Sequence, residues 1–243
     1  MQSDVRQTLR RVNESFYQSF AAEFSATRGR LQPGVLRAIR NLPAGAALLD
    51  IGCGNGRLAA HLFQHGFHGH YVGLDMSETM LTEARSHTAG ENAHFVTADL
   101  NQADWAASLR TASVTEPFDH ALAFAVLHHI PGAEARSALV RVLRTLLAAG
   151  STLTVSTWDF LASDRLKARI LPWEQAGLTA AQVEPGDFLL DWRRGGAGQR
   201  YVHHFTPESL GKLALSGGFN VVETYRSDGE NERLGLYQVW QPR

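Results

Sequence analysis

The sequence predicts a doubly wound α/β fold, and three observations carry that expectation. Short apolar runs alternate with stretches of helical periodicity from residue 48 to about 157, the pattern of a mostly parallel sheet with helices on its faces. The first run, Leu48-Leu49-Asp50-Ile51, opens directly into Gly52-Cys53-Gly54-Asn55-Gly56, a strand-to-helix turn where backbone can approach a ligand closely. The second and third runs end in Asp75 and Asp99, at the carboxyl ends of strands, where open α/β sheets hold their ligands.

In chain order, residues 1–41 are expected to form amino-terminal helices that lid the sheet, with Phe16, Tyr17, Phe20 and Phe24 at helical spacing. Pro43-Ala44-Gly45 is a turn leading into the first strand. Strands are expected near 47–51, 71–75, 94–98, 119–124 and 151–157. Arg57 opens an amphipathic helix; Ser77 is the better cap for the helix 78–86, although Asp75 could also cap it. Trp105 reads as packing. Ala148-Ala149-Gly150-Ser151 reads as a helix end with a left-handed glycine before the fifth strand. Residues 159–205 break the alternation, as a small insertion would. Thr206-Pro207-Glu208-Ser209 is a capping-box start, and 219–225 with 234–241 should close the sheet as an edge hairpin carrying the antiparallel strand. The expectation is one domain over 1–243, with 1–41 as lid and 159–205 on the substrate side.

A formal net charge of −1 excludes a protein that holds nucleic acid by bulk charge; a polyanion would have to be met by local arginines, since Lys167 and Lys212 are the only lysines. The single Cys53 excludes an internal disulfide framework and suits a reducing compartment. No long apolar segment or signal-peptide core is visible, so no membrane association, no metal and a cytoplasmic location are expected.

The glycine spacing decides between ligands. A dinucleotide fingerprint needs its third glycine at 57, where Arg57 stands. The acid-x-Gly-x-Gly-x-Gly present instead resembles motif I of the class I S-adenosylmethionine (AdoMet) methyltransferases. Tyr71-Val72-Gly73-Leu74-Asp75, His94-Phe95-Val96-Thr97-Ala98-Asp99-Leu100 and the run from Phe118-Asp119 to His128-His129-Ile130 resemble the later motifs, the last of them motif IV. The resemblance implies a Rossmann-like methyltransferase sheet with AdoMet as cofactor and S-adenosylhomocysteine as product. It implies that Asp50, Gly52, Gly54 and Gly56 lie against the amino-acid part, Asp75 and Met76 at the ribose, Asp99 and Leu100 at the adenine, and Ala123 on the motif IV strand.

Four further stretches, Phe24-Ser25-Ala26-Thr27-Arg28, Leu171-Pro172-Trp173, the Gly-Asp-x-x-x-x-Trp of Gly186 to Trp192, and Arg200-Tyr201-Val202-His203-His204-Phe205, look like the tRNA wobble-uridine carboxymethyl methyltransferases. Val202 stands where a second tyrosine is usual. That resemblance implies a carboxylate acceptor on a 5-carboxymethyl-type uridine, tRNA as partner, and a small activator subunit. It makes Trp173, Asp187, Trp192 and Tyr201 candidate substrate contacts. A hydroxyl or amine acceptor would need a base, for which His128 and His203 are candidates; a carboxylate needs none, and Arg28 or Arg200 could orient it. His129 is expected to cap the strand end, leaving His128 to face the cleft, and at most one of His203 and His204 should face the site. A small-molecule carboxylate, phenol or quinone as acceptor, or a non-catalytic AdoMet-binding subunit, remain alternatives; in either case the insertion is a plain lid.

Overall fold

The computed structural model describes all residues except 27–29, 113, 115–116, 194 and 230, and gives 21–26 by backbone alone. A long helix, α1 (Ser3–Ala26), kinked at Phe20, and a short one, α2 (Pro33–Ile39), precede the sheet. The alternation then runs β1 (Ala47–Ile51), α3 (Arg57–Gln64), β2 (His70–Asp75), α4 (Glu78–His87), β3 (Ala93–Thr97), α5 (Ala107–Thr111), β4 (Phe118–Phe124), α6 (Ala133–Thr145) and β5 (Leu147–Trp158). The insertion follows as α7 (Asp164–Lys167), β6 (Ile170–Leu171), β7 (Asp187–Trp192) and β8 (Gly198–His203). The chain closes with α8 (Pro207–Ser216), β9 (Phe219–Ser227) and β10 (Gly235–Pro242).

Seven strands form one sheet in the order β3-β2-β1-β4-β5-β10-β9, in which β10 runs antiparallel to both its neighbours and the pairs β1–β2, β1–β4, β2–β3 and β4–β5 are parallel. This is the predicted Rossmann-like methyltransferase sheet. Alternation along β1 explains its two-sided burial: Leu49 and Ile51 enter the core under α6 and α8, and Leu48 enters the core under α3 and α4. Ser77 caps α4 through its hydroxyl, and Thr206 with Ser209 forms the capping box of α8, both as the sequence indicated. Trp105 is buried in the core.

Two elements differ from expectation. Helix α6 ends at Thr145, and Ala148 to Gly150 already belong to β5: Phe118 pairs with Leu147 but His120 with Thr152, so the extra residues bulge out of the ladder and Gly150 adopts its left-handed φ of 78° there, away from any helix cap. The insertion, to which the sequence reading assigns no elements, is built around strands. It is a three-stranded antiparallel sheet, β6-β7-β8, with α1 laid along β8. No helix is long and apolar enough to cross a membrane among the described residues.

Candidate active site

The carboxyl ends of β1, β2, β3 and β4 open into one cavity of about 290 Å³, roofed by α1 and the segment before α2. The glycine turn forms its floor. Gly52, Gly54 and Gly56 all have positive φ, 71°, 56° and 73°. Their roles separate once a Cβ is imagined on each. At Gly52 it would strike Val126 Cγ2 at 2.5 Å, so this glycine lets the turn pass the end of β4. At Gly54 it would meet nothing within 4 Å, the property of a residue whose open side faces a ligand space. At Gly56 it would strike Ala84 Cβ at 2.6 Å; Gly56 does not line the cavity, and it serves the packing of α3 on α4.

Asp50 lines the cavity from beneath the turn, buried and accepting a hydrogen bond from the Tyr71 hydroxyl. Burial pushes its carboxyl up to about 7, against the lowering effect of the Tyr71 bond and with a smaller push from Asp75. AdoMet carries a net positive charge, so its approach favours the ionised form. Binding should therefore release a proton near neutrality, and affinity should rise with pH up to about 7 and level off above it. Titration calorimetry in buffers of different ionisation heat measures the released proton; an Asp50→Asn variant that keeps the same release would refute this assignment.

Asp75 ties the second strand to the turn. Its Oδ2 accepts from the Gly54 amide at 2.9 Å and its Oδ1 from the Ser77 amide at 2.9 Å; burial raises its carboxyl and these amides oppose the rise. Each oxygen retains a lone pair for a ribose hydroxyl. Asp75→Ala is expected to weaken AdoMet binding by about 1–3 kcal/mol, the cost of truncating a hydrogen-bonded charged partner. A calorimetric change near zero would leave Asp75 as a brace for the turn alone. Asp99 is more crowded: it accepts from Arg10 Nη2 at 2.7 Å, the Asn101 amide at 2.9 Å, Asn101 Nδ2 at 3.2 Å and Gln102 Nε2 at 3.1 Å. Four donors fill a carboxylate, so an adenine amino group at Asp99 must displace one of them. Met76 and Leu100 line the cavity beside these acids.

Motif IV departs from expectation. Ala123 is buried in the sheet core and does not line the cavity; Phe124, Ala125 and Val126 do. Ala125 has a positive φ of 58°, a conformation that costs a non-glycine residue roughly 1–2 kcal/mol, held by its amide donating to the Ser156 carbonyl and hydroxyl. The short helical turn 127–129 then buries His128 and presents His129 to the cavity, the reverse of the expected order. His129 Nδ1 lies 3.2 Å from the Tyr201 carbonyl, an acceptor only, so that nitrogen carries the proton. Asn13 braces the same place, donating to the His129 carbonyl at 3.3 Å and accepting from the Tyr201 amide at 2.9 Å, and Tyr17 meets the His129 ring edge-to-face.

None of the insertion's candidate contacts lines the cavity. Asp187 accepts from the Tyr201 hydroxyl at 2.8 Å and pairs with His203 at 2.7 Å, while Arg136 bonds Glu184 at 2.8 Å and the Tyr201 hydroxyl at 3.3 Å. Asp187, Glu184 and His203 lie close enough to share an ion, but they are engaged with one another, with Arg136 and with the Ala133 amide. Arg200 is buried, its guanidinium over Trp158 at 4.6 Å and Phe16 at 5.2 Å, with Trp192 beside them. Trp173 packs on Tyr201, Val5 and Leu9. These residues fasten the small sheet to α1 and α6, and the structure places them outside the cavity that the sequence expected them to serve as substrate or catalytic groups. Arg28 lies outside the described residues.

The sequence reading missed Arg10, Asn13, Tyr17 and Arg57, which line the cavity together with Arg30. A polar asparagine at 13 on the buried side of an amphipathic helix was the one available signal. The open side of Gly54, the lone pairs of Asp75 and the buried Nη1 of Arg57, which has no hydrogen-bond partner among the described residues, fit a ligand with a backbone-hugging chain, a diol and an anion, as AdoMet has.

Comparison with known proteins agrees. The pattern of a methyltransferase-domain family (Methyltransf_12) matches residues 49–153. A putative methyltransferase of Encephalitozoon cuniculi is 28% identical over 209 residues, 86% of this chain and 87% of that one. The tRNA (carboxymethyluridine(34)-5-O)-methyltransferase of Schizosaccharomyces pombe is 25% identical over 222 residues, 85% of this chain and 88% of that one. Some relatives bearing the latter name are longer: this chain spans 31% of the one from Arabidopsis thaliana. A solved S-adenosylmethionine-dependent methyltransferase of Methanosarcina mazei superposes with a TM-score of 0.65 at 20% identity, over 87% of this chain and 98% of that one. By its matched domain, its strand order and its cavity, the chain is an AdoMet-dependent methyltransferase.

Proposed function

We propose that the methyl acceptor is the carboxylate of a 5-carboxymethyl-type wobble uridine in cytoplasmic tRNA. The observation that carries the reading is the match to the Schizosaccharomyces pombe protein of that name over 85% of this chain and 88% of that one, a span well beyond the methyltransferase-domain match at 49–153. The site's chemistry supports it. AdoMet supplies a methyl group on a positive sulfur, so the chain must align the acceptor, keep the site dry and offer a competent nucleophile. A carboxylate is already ionised at neutral pH and needs no base. His129, the imidazole at the cavity, spends Nδ1 on a neutral carbonyl, where a base-assisted transfer would gain from a carboxylate partner. The exposed Arg30 at the cavity wall offers a cation to an anionic acceptor.

A small activator subunit belongs to the same proposal. The near-neutral net charge favours a second reading, a small-molecule acid, phenol or quinone as acceptor. The test is transfer of labelled methyl from AdoMet to total tRNA from cells lacking this protein, with and without a lysate fraction from cells that have it, followed by nucleoside mass spectrometry. Label in a methyl ester of a wobble uridine supports the tRNA reading. Label confined to small metabolites, with tRNA blank in both arms, overturns it.

A further inference from the structure

Among the described residues, three arginines line the cofactor cavity, and they differ in what neutralises them. Arg10 is paired with Asp99 at 2.7 Å and with Glu14 at 3.5 Å. Arg30 is exposed to water. Arg57, the first residue of α3 and held there by the left-handed Gly56, makes no ion pair among the described residues, and its Nη1 is shut off from solvent with no acceptor among them. The residue as a whole is half-buried, but its Nη1 is costly where it stands, because a charged donor atom cut off from water without an acceptor loses its hydration and recovers nothing. Arg136 shows what the fold does with a buried guanidinium that it uses structurally: the Ile130 carbonyl, the Tyr201 hydroxyl and Glu184 all accept from it.

The cavity's own acids do not answer Arg57. Asp50 is bonded to Tyr71, Glu14 to Arg10, Asp75 to the amides of Gly54 and Ser77, and Asp99 to Arg10, Asn101 and Gln102. Arg57 therefore calls for an anion from outside the chain. AdoMet has one, the α-carboxylate at the end of the part that lies along the glycine turn, and its planar pair of oxygens matches the guanidinium fork. We propose that Arg57 is the receptor for the α-carboxylate of AdoMet and of S-adenosylhomocysteine. The residue that excludes a dinucleotide fingerprint is thus itself a determinant of the cofactor. The assignment is independent of which acceptor is methylated.

The experiment compares AdoMet with decarboxylated AdoMet, which keeps the adenosine, the sulfonium and the amine. Calorimetry on the full chain should find that the parent prefers AdoMet. Arg57→Gln, which keeps most of the stem, should weaken AdoMet about 10- to 100-fold, the range for losing a charge-assisted pair, and leave decarboxylated AdoMet within about threefold. Arg57→Lys should fall between, since a point charge replaces the fork. Equal weakening of both ligands would make Arg57 a packing residue and overturn the proposal. Unchanged AdoMet affinity would also overturn it, and would move the guanidinium to the acceptor. If Arg57→Gln does not fold, the lysine variant decides on the same comparison: a reduced preference for AdoMet sustains the proposal, an unaltered one overturns it.

Discussion

Gly54→Val is expected to raise the dissociation constant for AdoMet more than about 100-fold while the chain stays folded. The position combines a left-handed φ of 56° with an open side toward the cavity, where a Cβ meets nothing within 4 Å. A β-branched side chain there costs the fold roughly 1–2 kcal/mol of backbone strain. Its larger effect is to occupy the space in which cofactor and backbone must touch. Gly56→Val makes the contrast, because its Cβ would press on the Cα and Cβ of Ala84 at 2.8 and 2.6 Å. That variant should lose stability first and binding only as a consequence. Thermal melting and calorimetry on the two proteins separate the effects; a Gly54→Val protein that binds within about threefold of the parent would remove the turn from the cofactor site.

Asp187→Ala is expected to lower stability by about 3 kcal/mol, the scale for removing one member of a buried, hydrogen-bonded charge group. In a chain of this length that is a fall in Tm of roughly 6–12 °C. The side chain is buried and accepts from Tyr201, His203 and the Glu184 amide, so truncation strands three donors at once. The small sheet and α1 are fastened to α6 through these groups. At temperatures where the variant is folded, AdoMet affinity should match the parent. An unshifted Tm with a raised acceptor KM would instead return Asp187 to the substrate-binding role that its motif suggested.

The resemblance by motif placed Asp187, Trp192, Arg200, Tyr201 and His203 among functional groups, and the reason it failed to place them in space is instructive. Arginines interleaved with aromatics read equally well as a surface that stacks bases and as a buried cation–aromatic cluster. Arg200 between Phe16, Trp158 and Trp192 is the second; all three partners lie on other elements, and two of them, Phe16 and Trp158, are distant in sequence. His128 and His129 stand in the reverse of the expected order because the expectation makes His129 the cap of a strand end, with no helical turn between that strand and Pro131. The left-handed Ala125 and the helical turn after it break the period of two, and no residue type announces a positive φ at an alanine.

What the sequence determined by itself was the sheet and the cofactor. Apolar runs of strand length, the acids that end them and the glycine turn are local patterns whose physics needs only neighbouring residues; they located the first five strands and put Asp50, Gly54, Asp75 and Asp99 at or near strand ends, and the cofactor followed from the family resemblance those motifs carry. What only the tertiary structure decided was the rest of the site. The roof depends on α1 reaching across to Asp99, Asn101 and Tyr201, contacts between residues 89 to 188 positions apart. The division of labour among the glycines depends on what lies opposite each one. The part assigned to Arg57 depends on every nearby carboxylate being already engaged, a fact about partners that no single stretch of sequence contains.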